Sequence, residues 1–320
     1  MEAHPDDLAA RYDLAAAHTA AGDREAAIAA YEEILKWDPD SPRARRRLVT
    51  LLLETGQPSA ALVHLRWAEE KHPDDVDLRI SLSRTLAQLG QAAPAAEHAQ
   101  TAVALAEESF DARFQLGTAL MAIGELNKAE AAFRRAMAIE PEDAATQRKL
   151  GLLLAARGDA AGAAEAFAVA TRSDPTDAES WSDLGAAHFA AGQPAEAVRA
   201  YREALYVAPD HAGAANGLAW CLATTDDDEI RNIEEAVALA EQLRDLDKEN
   251  PTALDTLAAA YAADGKFAEA EKVARRAIKL AEASDKFADL TEAMKARLQL
   301  YVAGQPYRAA AANHVGGAGR

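Results

Sequence analysis

Cysteine is nearly absent from this sequence, because Cys221 is the only one among 320 residues. A lone cysteine cannot form an intramolecular disulfide or a cysteine-rich zinc or iron–sulfur site, so a reducing compartment is favoured. The sequence also lacks a run of about 18 uncharged apolar residues, the length that a membrane span needs. Its N-terminus shows no positively charged region followed by an apolar stretch. For a complete chain, these absences predict a cytoplasmic protein with no direct membrane insertion.

Aromatic and positively charged residues are scarce as well. Phe, Trp and Tyr make up 6% of the chain, and β-branched residues are few, which argues against a β-sandwich or barrel. Lys and Arg number 34 against 52 Asp and Glu, giving a formal net charge of -18. Such an acidic surface repels phosphate backbones, so no nucleic-acid partner is expected. Half of the residues are apolar, and the abundant alanines among them favour helices.

Glycine and proline recur at a fixed interval along most of the chain. Six glycines are spaced 34 residues apart, and prolines follow five of them 17 residues later: Gly22, Gly56, Gly90, Gly124, Gly158 and Gly192, with Pro39, Pro73, Pro141, Pro175 and Pro209. Apolar residues between these markers fall at i, i+3 and i+4 spacings. The pattern predicts a repeated unit of two helices, with a glycine turn inside each unit and a proline-marked break between units.

The repeat resembles the tetratricopeptide repeat family, and the sixth unit shows the resemblance best. Its matching residues are Trp181, Leu184, Gly185, Gly192, Ala197, Tyr201, Ala204 and Pro209. The resemblance implies an all-α fold, a right-handed α-solenoid superhelix of about eight helix-turn-helix units with a C-terminal capping helix. It also implies a non-enzymatic scaffold for protein–protein interaction, with a concave groove lined by the first helix of each unit.

The units are expected to start near residues 8, 42, 76, 110, 144, 178, 212 and 251. The seventh unit is irregular, because Asp226 stands at its glycine position and an insertion lengthens its turn. A cap helix over 285–302 completes a predicted solenoid of residues 1–303, and residues 304–320 are expected to be a flexible tail. The segment from 216 to 308 is similar to the end of many bacterial tetratricopeptide repeat proteins.

The resemblance places nine residues at groove positions as candidates for binding a protein or peptide. They are Arg43, Arg46, Arg47, Arg84, Phe114, Arg148, Lys149, Phe189 and Trp220. The basic members favour an acidic peptide segment, since guanidinium groups hold carboxylates bidentately. The alternative interpretation is a solvated charged helix face for the arginines and ordinary packing for the aromatics.

Catalytic and metal-binding patterns are missing from the sequence. The eight histidines include no His-Glu-x-x-His pair, and no glycine-rich phosphate loop follows a strand, so neither an enzyme nor a cofactor is predicted. The acidic stretch 226–229 invites a calcium interpretation. It lacks the spacing of a calcium loop, and acids before a helix interact favourably with its N-terminus, so no metal site is predicted.

The leading hypothesis is a scaffold that binds a protein segment in its groove and assists the assembly of a complex. One alternative is a self-associating structural protein, and a monomer or weak homo-oligomer is expected. Another alternative is a regulatory module of a bacterial glycosyltransferase or of a secretion or assembly system, which the C-terminal resemblance suggests.

Overall fold

The computed structural model describes residues 8–284 and 287–309, and within them it contains 17 helices and no strand. The helices are α1 (Leu8–Ala20), α2 (Arg24–Trp37), α3 (Pro42–Glu54), α4 (Pro58–Lys71), α5 (Val76–Gln88), α6 (Ala92–Leu105), α7 (Phe110–Ala122), α8 (Leu126–Ile139), α9 (Ala144–Ala156), α10 (Ala160–Ser173), α11 (Ala178–Ala190), α12 (Pro194–Val207), α13 (Ala212–Thr224), α14 (Ile233–Leu246), α15 (Pro251–Ala263), α16 (Phe267–Ala281) and α17 (Ala288–Val302). The all-α repeat fold expected from the sequence is confirmed. The first two residues of the expected cap helix, 285 and 286, lie outside the described residues.

Two compact units divide the chain, and we describe each by itself. The N-terminal unit, Met1–Pro141, contains α1 to α8, and the C-terminal unit, Glu142–Arg320, contains α9 to α17. Within each unit every helix packs against the next one along the chain. First helices of successive repeats also contact each other, as α5 contacts α7 and α13 contacts both α11 and α15. The first helices therefore line one side of each unit, and we call this side the inner face.

The turn inside each regular repeat is closed by its glycine. Gly192 has a φ of 73°, which L side chains rarely adopt. Its N–H donates to the Phe189 carbonyl at 3.0 Å, and the next N–H, of Gln193, donates to the His188 carbonyl at 2.9 Å. These bonds satisfy carbonyls that the helix end leaves unpaired. The other five glycines of the 34-residue series have the same positive φ, so the predicted turns are confirmed.

Aromatic side chains of the second helices fill gaps left by glycines of the first helices. Phe133 is fully buried and lies against Gly117, while the ring of Tyr201 lies against both Gly185 and Gly217. A Cβ atom at Gly217 would stand 2.4 Å from the Tyr201 ring, closer than atoms can approach. Each ring therefore packs directly on a helix backbone, at a distance that leaves no room for a side chain at the glycine.

The seventh repeat ends its first helix differently, since it has no glycine at the turn. Thr224 and Thr225 instead lead into the insertion, where Arg231 donates from Nη2 to the Thr225 carbonyl at 2.9 Å. Two further carbonyls of this end accept bonds from a distant part of the chain. Arg308 donates from Nη1 to the Ala223 carbonyl at 3.0 Å, and the backbone N–H of Ala309 donates to the Thr224 carbonyl at 2.9 Å.

These contacts involve the first part of the expected tail, which begins at residue 304. Residues 305–309, which we call the strap, lie against α13, and residues 306–309 are half-buried. The helix end of the seventh repeat offers the strap unpaired carbonyls and an aromatic ring, which a short segment can cover. Residues 310–320, the rest of the expected tail, lie outside the described residues.

Candidate functional site

A groove opens on the inner face of the N-terminal unit between α3 and α5. It has a volume of about 770 Å³, and its apolar lining includes Val49, Leu53 and Leu78. Arg46 and Thr50 enter it from α3, and Arg84 enters it from α5. A smaller adjoining hollow of about 420 Å³ is lined by Arg43, Arg46, Arg47 and Thr50. The structure therefore brings four of the candidate arginines to one groove, which we call the basic groove.

The arginines of the basic groove are exposed and largely free of internal partners. In the described ranges, 8–284 and 287–309, no carboxylate forms an ion pair with Arg46, Arg47 or Arg84. The groove also contains acids, and two of these are engaged elsewhere. Glu54 pairs with Arg24 at 3.4 Å, and Asp75 accepts the N–H of Leu78 at 3.0 Å as the cap of α5. Unpaired guanidinium groups beside an apolar floor suit an amphipathic acidic ligand.

Two neighbouring arginines have intramolecular roles that limit the basic groove. The Arg43 guanidinium lies 4.5 Å from the centroid of the Tyr12 ring, a cation–π contact that orients it without neutralising it. Arg45 turns away from solvent, with its guanidinium 3.7 Å from the centroid of the Trp67 ring and Nη1 3.1 Å from His64 Nδ1. Arg45 therefore builds the wall of the groove, while Arg43 remains available at its edge.

The other two basic candidates lie in the C-terminal unit, on α9. Arg148 is already paired, because its Nε donates to Asp183 at 2.8 Å and its Nη2 to Glu179 at 3.2 Å. Burial raises the pKa of the Asp183 carboxyl above its ordinary value, and the bond from Arg148 opposes that rise. Lys149 is half-buried. Arg148 thus joins α9 to α11, and its side chain is committed to that contact.

Two aromatic candidates are engaged in packing within their own units. Phe114 stacks on Phe110 at a centroid distance of 6.1 Å and contacts Phe133 at 6.2 Å. Phe189 is half-buried and packs against the core cluster around Tyr201. Both therefore contribute to the interior of a repeat pair, as the packing interpretation of the sequence expects.

The third aromatic candidate, Trp220, lies on the inner face of the C-terminal unit under the strap. Its ring is 5.7 Å from the Tyr307 ring, and the Arg297 guanidinium lies 5.1 Å from Trp220 and 5.5 Å from Tyr307. Arg297 on α17 also forms a buried bidentate pair with Asp255 on α15, at 3.2 and 2.6 Å. Trp220, Asp255 and Arg297, from three helices, form what we call the aromatic–arginine surface.

The described residues give little support for a nucleophilic cysteine, a metal site or a membrane-spanning helix. Burial raises the pKa of the Cys221 thiol to about 12, so it is almost entirely protonated at neutral pH and a poor nucleophile. Within 8–284 and 287–309, no three His, Cys, Asp or Glu side chains are arranged to hold a metal ion. In the acidic insertion, Asp228 pairs with Arg231 at 2.5 Å. None of the helices in these ranges has the length and apolarity to cross a membrane.

Models of one family match the chain at four places. All four are tetratricopeptide repeat models. One matches residues 1–49 and again 18–79, and the other three match residues 114–178, 178–211 and 252–284. Together they cover more than half of the chain. The chain belongs to the tetratricopeptide repeat family. A comparison with curated proteins finds no significant match.

Solved tetratricopeptide repeat structures share the fold. A tetratricopeptide repeat protein from Parabacteroides merdae aligns with a TM-score of 0.61 and 14% identity, over 78% of this chain and 97% of its own. A chain of the Cut9–Hcn1 hetero-tetramer of the APC/C aligns with a TM-score of 0.61 and 14% identity. The alignment covers 85% of the present chain and about half, 52%, of the Cut9–Hcn1 chain. TTC0263 from Thermus thermophilus is 26% identical over 57% of this chain and 99% of its own, with a TM-score of 0.49.

The structure brings four of the predicted arginines together in the basic groove, whereas nothing in the sequence indicated the partners of Trp220. Arg297 and Asp255 carry no local motif, and only the stretch Gly304-Gln-Pro-Tyr-Arg signalled a feature near the C-terminus. The three-helix origin of the aromatic–arginine surface explains the omission, since its members lie between 35 and 77 positions apart in the sequence. As a tetratricopeptide repeat protein with such inner faces, the chain is supported as a scaffold for protein interaction.

Proposed function

We propose that the protein is a scaffold that binds an acidic, amphipathic peptide segment of a partner in the basic groove and so assists the assembly of a complex. The observation that carries the proposal is the cluster of Arg46, Arg47 and Arg84. Among the residues that the structure describes, no carboxylate pairs with these three positive side chains, which surround an apolar floor in a chain of formal net charge -18.

The electrostatic setting supports a carboxylate-bearing ligand over a neutral one. Asp and Glu outnumber Lys and Arg on this chain by 52 to 34, so a cluster of positive side chains in one groove is opposite in sign to the net charge. A bound carboxylate can form charge-assisted hydrogen bonds with these guanidinium groups. Val49 and Leu53 on α3 offer apolar contact to the same ligand. Leucine and glutamate side chains alternating along one peptide would meet both requirements.

The test uses a short fluorescein-labelled peptide in which glutamates flank leucines, and fluorescence anisotropy measures its binding. We compare the natural chain with the triple variant Arg46→Glu, Arg47→Glu and Arg84→Glu. Charge reversal places carboxylates opposite the ligand, so we expect at least about a tenfold loss of affinity, equivalent to about 1.4 kcal/mol. Binding to the natural chain should weaken as salt concentration rises.

A matched control separates a local effect from a change in net charge. Arg66, Arg135 and Arg172 are exposed on the second helices α4, α8 and α10. Reversing these three to Glu changes the net charge of the chain by the same amount, and we expect affinity within about twofold of the natural chain. An equal loss in both triple variants, or no binding to the natural chain, contradicts the proposal.

A further inference from the structure

The strap makes the contacts of a bound peptide and not those of a helix or strand. Across its five residues, Tyr307 inserts an aromatic ring, Arg308 donates a side-chain bond, and Ala309 donates one backbone bond. Pro306 lacks an N–H and so cannot extend any backbone ladder. The strap begins immediately after α17 ends and runs to α13, on the side where α13, α15 and α17 supply Trp220, Asp255 and Arg297.

The receiving surface is preorganised for an aromatic residue followed by an arginine. The Asp255 carboxylate holds the Arg297 guanidinium through two hydrogen bonds, which fixes it beside Trp220. An aromatic ring at this position packs against the indole in a tilted arrangement, with an interplanar angle of 42°, and lies within cation–π distance of the guanidinium. With the strap in place Arg297 is 8% exposed and Asp255 4% exposed, so the pair is part of the buried framework that α15 and α17 form.

The end of α13 supplies the complementary negative potential for the arginine that follows. Carbonyls at a helix C-terminus carry partial negative charge, and those of Ala223 and Thr224 receive the two strap donors. Burial and the neighbouring Arg231 lower the pKa of the Arg308 guanidinium, and the attraction of Asp226 and Asp228 opposes this effect. These acceptors are left open because the seventh repeat lacks the glycine turn that closes α11 through Gly192 and Gln193.

We propose that the aromatic–arginine surface, with the open end of α13, is a binding site for an extended aromatic–arginine peptide segment, and that the strap occupies it in cis. A partner carrying a Tyr-Arg segment binds there by displacing the strap. This site is separate from the basic groove, because it lies in the other unit and selects a basic ligand. The tethered strap competes at high effective concentration, so the site is closed to weak ligands.

The experiment measures the binding of a fluorescein-labelled peptide with the sequence of residues 304–309, Gly-Gln-Pro-Tyr-Arg-Ala. We compare the full chain with a chain shortened to end at Gly304, using fluorescence anisotropy. The shortened chain is expected to bind the peptide, and the full chain is expected to bind it at least about tenfold more weakly because its own strap competes. A control peptide with alanine in place of tyrosine and glutamate in place of arginine should bind neither chain.

Two results overturn the proposal: equal affinity for the full and shortened chains, or no binding to a shortened chain that is folded by circular dichroism. If the shortened chain does not fold, the full chain carrying Tyr307→Ala and Arg308→Glu replaces it under the same criteria. Hydrogen exchange of the natural full chain provides a measurement that requires no variant. The Ala309 amide should exchange much faster than the buried amides of α13, and equal protection of both would show that the strap does not leave its site.

Discussion

The fourth position of α11 is Trp181, whereas the fourth position of α3 and of α5 is an arginine. The structure shows why either residue type suits this position. Trp181 donates its indole N–H to the Pro175 carbonyl at 3.0 Å, six residues back. Arg79 donates its Nε to the Pro73 carbonyl at 3.0 Å across the same separation, and Arg45 reaches the Pro39 carbonyl likewise. Both residue types combine a flat, largely apolar side chain with an N–H donor, so both satisfy the carbonyl before the helix.

Gly217 is expected to be intolerant of even one added carbon. Gly217→Ala should destabilise the protein by about 1–3 kcal/mol, because the new Cβ overlaps the Tyr201 ring, although alanine favours the helix by about 1 kcal/mol. The free energy of unfolding, measured in urea, tests this. In a Tyr201→Leu background the same substitution should cost far less, since the ring is gone. The same cost in both backgrounds would mean that the ring is not the cause.

Helix pairs in the N-terminal unit are joined by arginine–histidine contacts that respond to pH. His64 on α4 accepts a hydrogen bond at Nδ1 from Arg45 on α3, and His98 on α6 accepts one from Arg79 on α5. Burial, with a further contribution from Arg45, lowers the pKa of His64 below its ordinary value. The pKa of His98 is also lowered by burial, which Glu69 opposes. Both rings are therefore held neutral in the folded chain.

These contacts predict a loss of stability on mild acidification. The stabilising contribution of a lowered histidine pKa is complete above the unfolded pKa of about 6.5 and is lost as pH falls through the folded pKa. The natural chain should thus lose Tm between about pH 7.5 and about pH 5, and His64→Gln should lose less, because glutamine does not titrate. His72→Gln, at an exposed position, should follow the natural chain. If His64→Gln shows the same decline as the natural chain, His64 is not the group that titrates.

Across the full chain, stability is distributed among neighbouring helices and not collected in one core. Each buried cluster of the C-terminal unit draws on adjacent repeats, as the cluster around Tyr201 draws on α12, α13, α14 and α15. Repeat proteins of this kind have stabilities that sum intrinsic and nearest-neighbour contributions. A local defect should therefore destabilise mainly the adjoining helices.

Tyr201→Ala tests this locality. The cavity should cost about 3–5 kcal/mol, and hydrogen exchange followed by mass spectrometry should show faster exchange in α11, α12 and α13. Amides in α1 to α4 of the N-terminal unit should keep their natural rates. Uniformly faster exchange along the chain would instead indicate a single cooperative unit.

The sequence predicted the repeat geometry well because that geometry is local. The positions of Gly192, Ala197 and Tyr201 are each dictated by one helix pair, and Ala197 and Tyr201 are buried as the spacing requires. Leu14 is an instructive exception, since it is 55% exposed while its equivalent Leu48 is fully buried. The spacing gives the same residue at both places, so the repeat pattern alone does not determine burial at this position.

The candidate sites were predicted less completely because binding depends on pairing between distant residues. Arg46 and Arg148 occupy the same place in their helices, yet Arg148 pairs with Asp183 one repeat later, whereas none of the acids that the structure describes pairs with Arg46. Likewise, Trp220 is recognisable as an inner-face residue, but its coverage by Tyr307 depends on where the chain goes after α17. The pairing of each arginine and the coverage of Trp220 depend on tertiary contacts that a repeat pattern does not encode.

The bond from Arg308 to the Ala223 carbonyl has a consequence for biosynthesis, because it spans 85 residues. Neighbouring helix pairs can form as they emerge from the ribosome, since their contacts are close in sequence. The end of α13 is different, because its carbonyls accept hydrogen bonds from residues that are translated long after the helix itself. During that interval the aromatic–arginine surface is incomplete or uncovered, and a nascent chain presents Trp220 to other proteins before its own strap is made.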